Sequence, residues 1–434
     1  MDYPQALDWL YARQPRGIRL GLDRMRRLLA ALEDPHDAFL GFHVAGTNGK
    51  GSTAAFIEAA LRFEGYRTGL YLSPHVSAFA ERIHTGGRPV APRAVVDDVE
   101  AVRDAVESME RASDAPTFFE IVTAMAFHRF RRDRVEVAAV EVGLGGRHDA
   151  TNLVRPLVSV ITPIALDHTD RLGTQVADVA GEKAGIIRPG VPVVTAAQGV
   201  AAGVVERTAK QGSAPLTRVR AREARVLRED LEYTVFEADA WGRRRTFQLS
   251  MLGRHQALNA LVAVRALERA TRFRVLPEAA MQGLHTVRLP GRLEAFGTPT
   301  RFLVDGAHNP RAMATLVRFL QRSGIDSPPL VLGVMREKDL DGILRALAPL
   351  APRILATRVP GTPRSRDPDE IVTAAERLGM PAASAGAPED ALERLREASH
   401  PRPGVVTGSL YLAGHVRRIL GGAKAEPIER PVYQ

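Results

Sequence analysis

The 434-residue sequence predicts an α/β protein in two domains, and three observations carry that reading. Apolar runs of strand length alternate with amphipathic helical stretches, the pattern of a parallel sheet wrapped by helices. A Gly-rich turn joins an early apolar strand to a helix. Near Leu289-Pro290-Gly291 the alternation breaks and then restarts, and at about 100–200 residues per domain the length suits two units. The expected domains are 1–288 and a smaller 291–424.

In the first unit, helical periodicity covers 22–33, 52–65, 92–112 and 117–132. Strands are expected at 40–45, 68–72, 135–142, 157–161 and 191–195. From 216 to 250 the pattern shortens to runs at 217–227, 231–236 and 244–249, read as an antiparallel appendage on the first sheet. A helix over Gln256–Thr271 follows. The second unit reads as strand 301–305, helix 310–322, strand 329–333, helix 339–347, strand 353–356, helices 368–378 and 387–398, and strand 404–407. No internal repeat is visible, and the Pro/Arg-rich tail after 420 is expected to be poorly ordered.

Composition narrows the function. Hydrophobic residues at 45% and charged residues at 25%, without low-complexity runs, exclude disorder and coiled coil as the main architecture. With no Cys there is no disulfide, thiolate metal site, iron–sulfur cluster or thioester nucleophile. The N-terminus lacks a basic and apolar leader, and no apolar stretch nears the roughly 18 residues that span a bilayer. A cytoplasmic protein with no membrane partner is expected. The net charge of +9 favours anionic partners. Only five of the 59 basic residues are Lys, so Arg is the generic cation here, and a Lys inside a motif points to chemistry. Aromatics are not interleaved with the Arg-rich stretches, which argues against nucleic acid.

The sharpest motif is Phe42-His43-Val44-Ala45-Gly46-Thr47-Asn48-Gly49-Lys50-Gly51-Ser52-Thr53, a strand, a Gly-rich turn and a helix start. Glycines let backbone N–H groups approach phosphate oxygens, Lys50 can reach the β and γ phosphates, and Ser52 can hold Mg²⁺. It is a variant P-loop, with Val44 where the usual pattern has Gly and Gly51 where it has Ser or Thr. A Gly-rich turn without a ligand would explain Gly46 and Gly49 but not Lys50 and Ser52. Glu141 ends an apolar strand and precedes Gly143-Leu144-Gly145-Gly146-Arg147-His148-Asp149-Ala150. A buried carboxylate there needs a partner, either a metal ion or a salt bridge to Arg147. His168 follows another strand and Lys183 ends a helix. From the residues alone, His168 is equally a loop polar residue or a ligand, Lys183 reads as a solvated helix-terminal charge, and neither would be chosen unaided. In the second unit, Asp305-Gly306-Ala307-His308-Asn309-Pro310 and Gly333–Asp339 close two strands where α/β sheets bind ligands, though Asn309-Pro310 also suits a helix cap.

This ordered set resembles folylpolyglutamate synthase/dihydrofolate synthase, a branch of the Mur-type amide ligases. The resemblance rests on Gly46–Ser52, Tyr71–His75, Phe79–Ile83, Thr117–Glu120, Glu141–Asn152, Leu166–Thr169, Glu182–Ile186, Gly253–Asn259, Pro290–Glu294, Asp305–Pro310 and Gly408–Leu410. It implies a P-loop-type Mur ligase central domain followed by a smaller Rossmann-like α/β glutamate-ligase domain; a monomer is expected. It implies ATP contacts at Asn48, Gly49, Lys50, Gly51, Ser52, Asn259, Arg292 and Asp305. One Mg²⁺ falls on Ser52, Ser73 and Glu141, a second on His168, and Lys183 matches a lysine carried as an N-carbamate. Lys50, Lys183, His168 and Glu141 are thereby the catalytic candidates. Pterin contacts fall on Leu20–Asp23 and on Thr117–Glu120, which includes Phe119, and on His148, Asp149 and Ala150. His148 stands where many bacterial members carry an apolar residue. His308 and Ser409 fall where the glutamate enters.

The implied reaction adds L-glutamate to dihydropteroate, to (tetrahydro)folate, or to both, after ATP converts the acceptor carboxylate to an acyl phosphate. One rival is another Mur-type ligase; those acting on cell-wall precursors normally carry an additional domain before the P-loop, where only 45 residues precede Gly46. The other is a non-catalytic nucleotide switch, which leaves the second domain unused.

Overall fold

The computed structural model describes residues 1–17, 19, 21–297, 300–399 and 402–421, and three sheets organise them. The largest runs, from edge to edge, Arg88–Pro89, Ile83–Thr85, Thr68–Tyr71, Val137–Glu141, Leu40–Ala45, Pro156–Ile161, Val193–Thr195 and Leu216–Arg218. From Thr68–Tyr71 onward its strands are parallel, and the two short edge strands are antiparallel. Helices cover both faces. Along one strand Val137 and Ala139 enter a core with Phe42, Val44 and the helix Lys50–Phe63, while Ala138 and Val140 enter a second core with the helix Phe118–Arg132. Burial on both faces explains why these strands are continuous apolar runs and not alternating ones.

Strand Leu40–Ala45 lies at the point where the order reverses. The chain lays its next strands to one side and then crosses to the other with Pro156–Ile161. Loops leaving the carboxyl ends diverge there and open a crevice, the place where such sheets hold ligands.

Two expectations need correction. The run 217–227 is three pieces: Leu216–Arg218, which extends the parallel sheet, a 3₁₀ turn at Ala221–Glu223, and Arg225–Glu229. Arg225–Glu229 then pairs with Thr234–Ala240, which pairs with Arg243–Leu249, in a sheet of their own and not as an appendage on the first. Phe236, Ala238, Ala240, Phe247 and Leu249 point into the core shared with the helix Arg254–Arg269. Alternation shows that one face of such strands is buried without showing which element covers it.

The third sheet runs Glu294–Phe296, Phe302–Val304, Gly404–Thr407, Pro329–Leu332, Arg353–Thr357 and Ala382–Gly386, parallel except for its first strand. Ala382–Gly386 was not anticipated, because Ala-Ala-Ser-Ala-Gly lacks the β-branched and aromatic residues that mark strands. The helices Tyr3–Tyr11, Gly199–Gln211, Pro277–Thr286 and Leu410–Leu420 were not anticipated either. The tail beyond 421 lies outside the described residues. Among the described residues no helix is long and apolar enough to cross a membrane.

Candidate active site

Lys50 begins the helix Lys50–Phe63 at the carboxyl end of Leu40–Ala45, with Gly49 at the N-cap in a left-handed conformation of φ 88°. A Cβ at position 49 would lie 2.4 Å from Asn259 Oδ1, so the turn needs both the torsion and the missing side chain. The first N–H groups of the helix have no intrahelical acceptor and are available to an anion. Lys50 Nζ lies 3.3 Å from Thr47 O. Thr47 Oγ1 donates to Ala165 O at 2.9 Å and accepts from Ala165 N at 3.0 Å, tying the turn to the loop that carries His168.

Glu141 is the register partner of Val44 on the neighbouring strand, so its carboxylate emerges beside the Gly-rich turn. It is buried and accepts a hydrogen bond from Ser73 N at 2.9 Å. Burial pushes its carboxyl above the usual range, and the Lys50 charge opposes that. Its hydrogen bond goes to Ser73, while Arg147 is exposed; the salt bridge between Glu141 and Arg147 is not formed. A Cβ on residue 51 would stand 3.2 Å from Glu141 Oε2, so Gly51 keeps the approach to the carboxylate open. Ser52 is buried, and the buried Ser73 Oγ has no hydrogen-bond partner among the described residues. A buried hydroxyl without a partner beside a buried carboxylate is the donor set of a small hard cation.

His168 adopts a left-handed backbone at φ 50°, and its Nε2 lies 3.9 Å from Asp167 Oδ1. Burial raises the Asp167 carboxyl, but Lys338, His168 and His308 together hold it below its ordinary value. Lys183 occupies the last turn of Val176–Ala184 and is only 5% exposed, so it is not a solvated helix-terminal charge. Burial, followed by the nearby Lys50 charge, pushes its amine down to about 7.

The third sheet supplies the opposite wall. Asp305 accepts from Leu293 N and Ala307 N, both at 2.9 Å; burial raises its carboxyl and Arg292 opposes that. His308 Nδ1 lies 2.8 Å from the Gly306 carbonyl, an acceptor, so Nδ1 carries the hydrogen and Nε2 is left with a lone pair. Burial and Lys338 push its imidazole down to about 4, keeping the ring neutral. Asn309 accepts from Ala312 N at 2.8 Å with Pro310 at the first helical position, the cap expected of that dipeptide.

Asn48–Ser52, Ser73, Glu141, His168, Asn259, Arg292, Asp305 and His308 line one cleft of about 480 Å³ between the two main sheets. Lys183, Thr117, Phe119, His148, Asp149, Ala150 and Ser409 do not line it. Thr117 caps the helix Phe118–Arg132 in a capping box with Glu120, and Ser409 caps Leu410–Leu420. Phe119 packs against Gly143 and Tyr71. Asp149 is buried, with its carboxylate accepting from Leu144 N and Thr151 N, while Ala150 is buried and His148 exposed. Of Leu20–Asp23, Leu20 lies outside the described residues and Asp23 is exposed beside Arg26. Arg311 and Arg318 also line the cleft and were missed; their seven-residue spacing after Asn309-Pro310 places them on one helix face, the signal that could have found them.

The Mur ligase middle domain family matches residues 44–267, and the Mur ligase glutamate ligase domain family matches 291–410. A folylpolyglutamate synthase of Lacticaseibacillus casei is 33% identical over 98% of this chain and 100% of its own. The chain belongs to the folylpolyglutamate synthase/dihydrofolate synthase family of Mur ligases. A probable bifunctional folylpolyglutamate synthase/dihydropteroate synthase of Haloferax volcanii is 37% identical over 96% of this chain, which spans half of that longer protein. The Mycobacterium tuberculosis folylpolyglutamate synthase complexed with ADP superposes with a TM-score of 0.89 at 33% identity, covering 98% of this chain and 100% of that one. The cleft draws its lining from both matched stretches, with Asn48–Ser52, Glu141 and Asn259 in the first and Arg292, Asp305 and His308 in the second.

Proposed function

We propose that this ligase joins L-glutamate to dihydropteroate, to folates, or to both, at the expense of ATP. The observation that carries the reading is the single cleft in which the Gly-rich turn, Ser73 and Glu141 face Arg292, Asp305 and His308. Phosphoryl transfer needs cations and amides around the transferring group and a positioned nucleophile in line with it.

A carboxylate is a poor electrophile, so it must be activated. One acceptor carboxylate oxygen attacks the γ phosphorus of ATP, forming an acyl phosphate and releasing ADP. The glutamate amine then attacks the acyl carbon, the C–O bond to phosphate breaks, the amine loses a proton, and an amide and inorganic phosphate remain. Asn48–Ser52 bind the phosphates through backbone amides, Lys50 offsets charge on the transferring group, and Asn259, Arg292 and Asp305 hold the nucleoside side. Ser52, Ser73 and Glu141 would hold one Mg²⁺ and His168 would help hold a second. When bound, these ions draw charge from the transferring phosphoryl oxygens. Such a donor set suits Mg²⁺, which keeps waters and substrate phosphates in its shell.

Lys183 fits a carbamate on its own chemistry. An amine held near neutrality attacks carbon dioxide, loses a proton and becomes an anion, which relieves the repulsion with Lys50. His308 and Ser409 are assigned to the glutamate side, and Thr117, Phe119, His148, Asp149 and Ala150 to the pterin side. The domain division at 288–291 is part of the same reading.

The test is phosphate release with ATP, Mg²⁺ and L-glutamate, comparing dihydropteroate with tetrahydrofolate as acceptor. Release that requires glutamate and either acceptor supports the proposal. ATP turnover indifferent to both would overturn it.

A further inference from the structure

Gly414 lies buried inside the helix Leu410–Leu420. Glycine weakens a helix interior relative to alanine, so its place there needs a cause outside the helix. Packing supplies one. A Cβ at 414 would stand 1.8 Å from the Val76 carbonyl oxygen and 2.7 Å from its carbon. Backbone meets backbone at that point, and no side-chain rotation relieves the contact.

Val76 belongs to the loop between strand Thr68–Tyr71 and the 3₁₀ turn Phe79–Arg82. The loop is braced as one piece: Leu72 N donates to Arg82 O at 2.9 Å across its mouth, and Glu81 accepts from Val76 N, Ser77 N and Ala78 N. A push on Val76 therefore reaches Ser73, whose N–H meets Glu141 and whose Oγ has no partner among the described residues. The helix is held from the other side as well. Leu410 lines the cleft, and a Cβ on Gly306, next to Asp305, would stand 2.2 Å from its Cδ2. Arg417 Nε donates to Glu294 Oε1 at 2.9 Å, and its Nη1 donates to Ser77 Oγ at 3.4 Å. Gly291 lies in the same seam, where a Cβ would stand 3.3 Å from Ala413 Cβ and 3.5 Å from Val76 Cγ1. One helix thus touches the Asp305 loop, the segment at Gly291 and the Ser73 loop.

We propose that Gly414 is a positioning residue for phosphoryl transfer. By admitting the Val76 carbonyl it lets the helix Leu410–Leu420 seat the 72–82 loop, so that Ser73 stands against Glu141 and the cation-binding set is complete only when the second unit is docked. The inference rests on the ligase reading above and deepens it. With the helix undocked the set is incomplete, which withholds phosphoryl transfer until both halves have closed on their substrates.

The experiment compares Gly414→Ala with Gly203→Ala. Gly203 is a glycine inside the helix Gly199–Gln211 whose Cβ would meet only Arg207 Nη1, at 3.5 Å, among the described residues. Affinity for a non-hydrolysable ATP analogue is measured in Mg²⁺ and in EDTA, and the ratio of the two is the gain that the cation confers. A displacement of about 1 Å at such a site costs on the order of 10²-fold. Gly414→Ala should therefore lose about tenfold or more of that gain and of kcat, while Gly203→Ala keeps both at the wild-type level. A folded Gly414→Ala with the wild-type ratio would overturn the inference, as would an equal loss in Gly203→Ala. If Gly414→Ala does not fold, Arg417→Met decides by the same ratio, which should fall and, if unchanged, counts against the docked helix. The binding arm needs neither acceptor nor turnover, so it decides on Gly414 even where phosphate release with folates fails.

Discussion

Lys338 Nζ lies 3.6 Å from Asp167 Oδ1, joining the loop after strand Pro329–Leu332 to the loop that carries His168. Both side chains are only 17% exposed, so the pair is weakly screened. It closes one end of the cleft, where Arg311 Nη1 also donates across to Ile164 O at 2.8 Å. Lys338→Met should loosen the two halves and lower kcat/KM about tenfold, equivalent to about 1.4 kcal/mol of transition-state stabilisation. Small-angle scattering should show a larger particle. Unaltered scattering and kinetics would show that the pair holds nothing together.

Lys50→Ala should lose on the order of 10²-fold or more in turnover, because a preorganised charge against the transferring phosphoryl group is removed. Melting should scarcely move, since Lys50 Nζ makes one long hydrogen bond to Thr47 O. Near-normal amide synthesis by the folded variant would contradict the assignment of the Gly-rich turn.

For Lys183, the amine near 7 predicts uptake of carbon dioxide at mildly alkaline pH. ¹³C-bicarbonate should produce a carbamate carbon signal in the wild type that is missing from Lys183→Ala, and that variant should be nearly inactive. A wild-type spectrum without the signal, from active enzyme, would exclude the modification.

Closure of the cleft should depend on ligand. A nucleotide touching Asn259 on one side and Asp305 on the other favours the closed arrangement only by its difference in affinity for the two. We expect hinge motion near Leu289–Gly291 and a partly open form without ligand. Scattering with and without an ATP analogue and pteroate reads this directly. Arg292→Ala should weaken ATP binding and spare pteroate binding; identical profiles and unchanged ATP affinity would refute the hinge.

His43 is buried with its Nε2 2.9 Å from Thr151 Oγ1, and burial pushes its imidazole down to about 3. In the unfolded chain it titrates near 6.5. Between those values the unfolded state binds a proton that the folded state refuses, so stability falls as pH drops below 6.5. Glu141, Asp149 and Asp305, with raised carboxyls, act oppositely over part of that range, so the informative quantity is a difference. Wild type should lose about 1.4 kcal/mol more per pH unit below 6.5 than His43→Gln. Parallel stability curves from pH 7 to 5 would refute the neutral buried state.

Local pattern was sufficient where one strand or one turn carries the information. The parallel strands were legible because burial on both faces leaves only apolar residues, as in Val137–Val140. The Gly-rich turn before the helix was legible, although the helix begins at Lys50 and not at 52, because glycines are required where a backbone turns left-handed or approaches a carboxylate. Sequence chemistry also reached the cap at Asn309-Pro310 and, through ordered motifs, the ligase family. It did not reach relationships between segments far apart in the chain. Whether Lys183 was solvated or buried, whether Glu141 met Arg147 or Ser73, and that Lys338 meets Asp167 depended on packing that brings separate loops to one sheet edge. A charge acquires its meaning from what surrounds it, and desolvation and pairing are set by residues tens or hundreds of positions away.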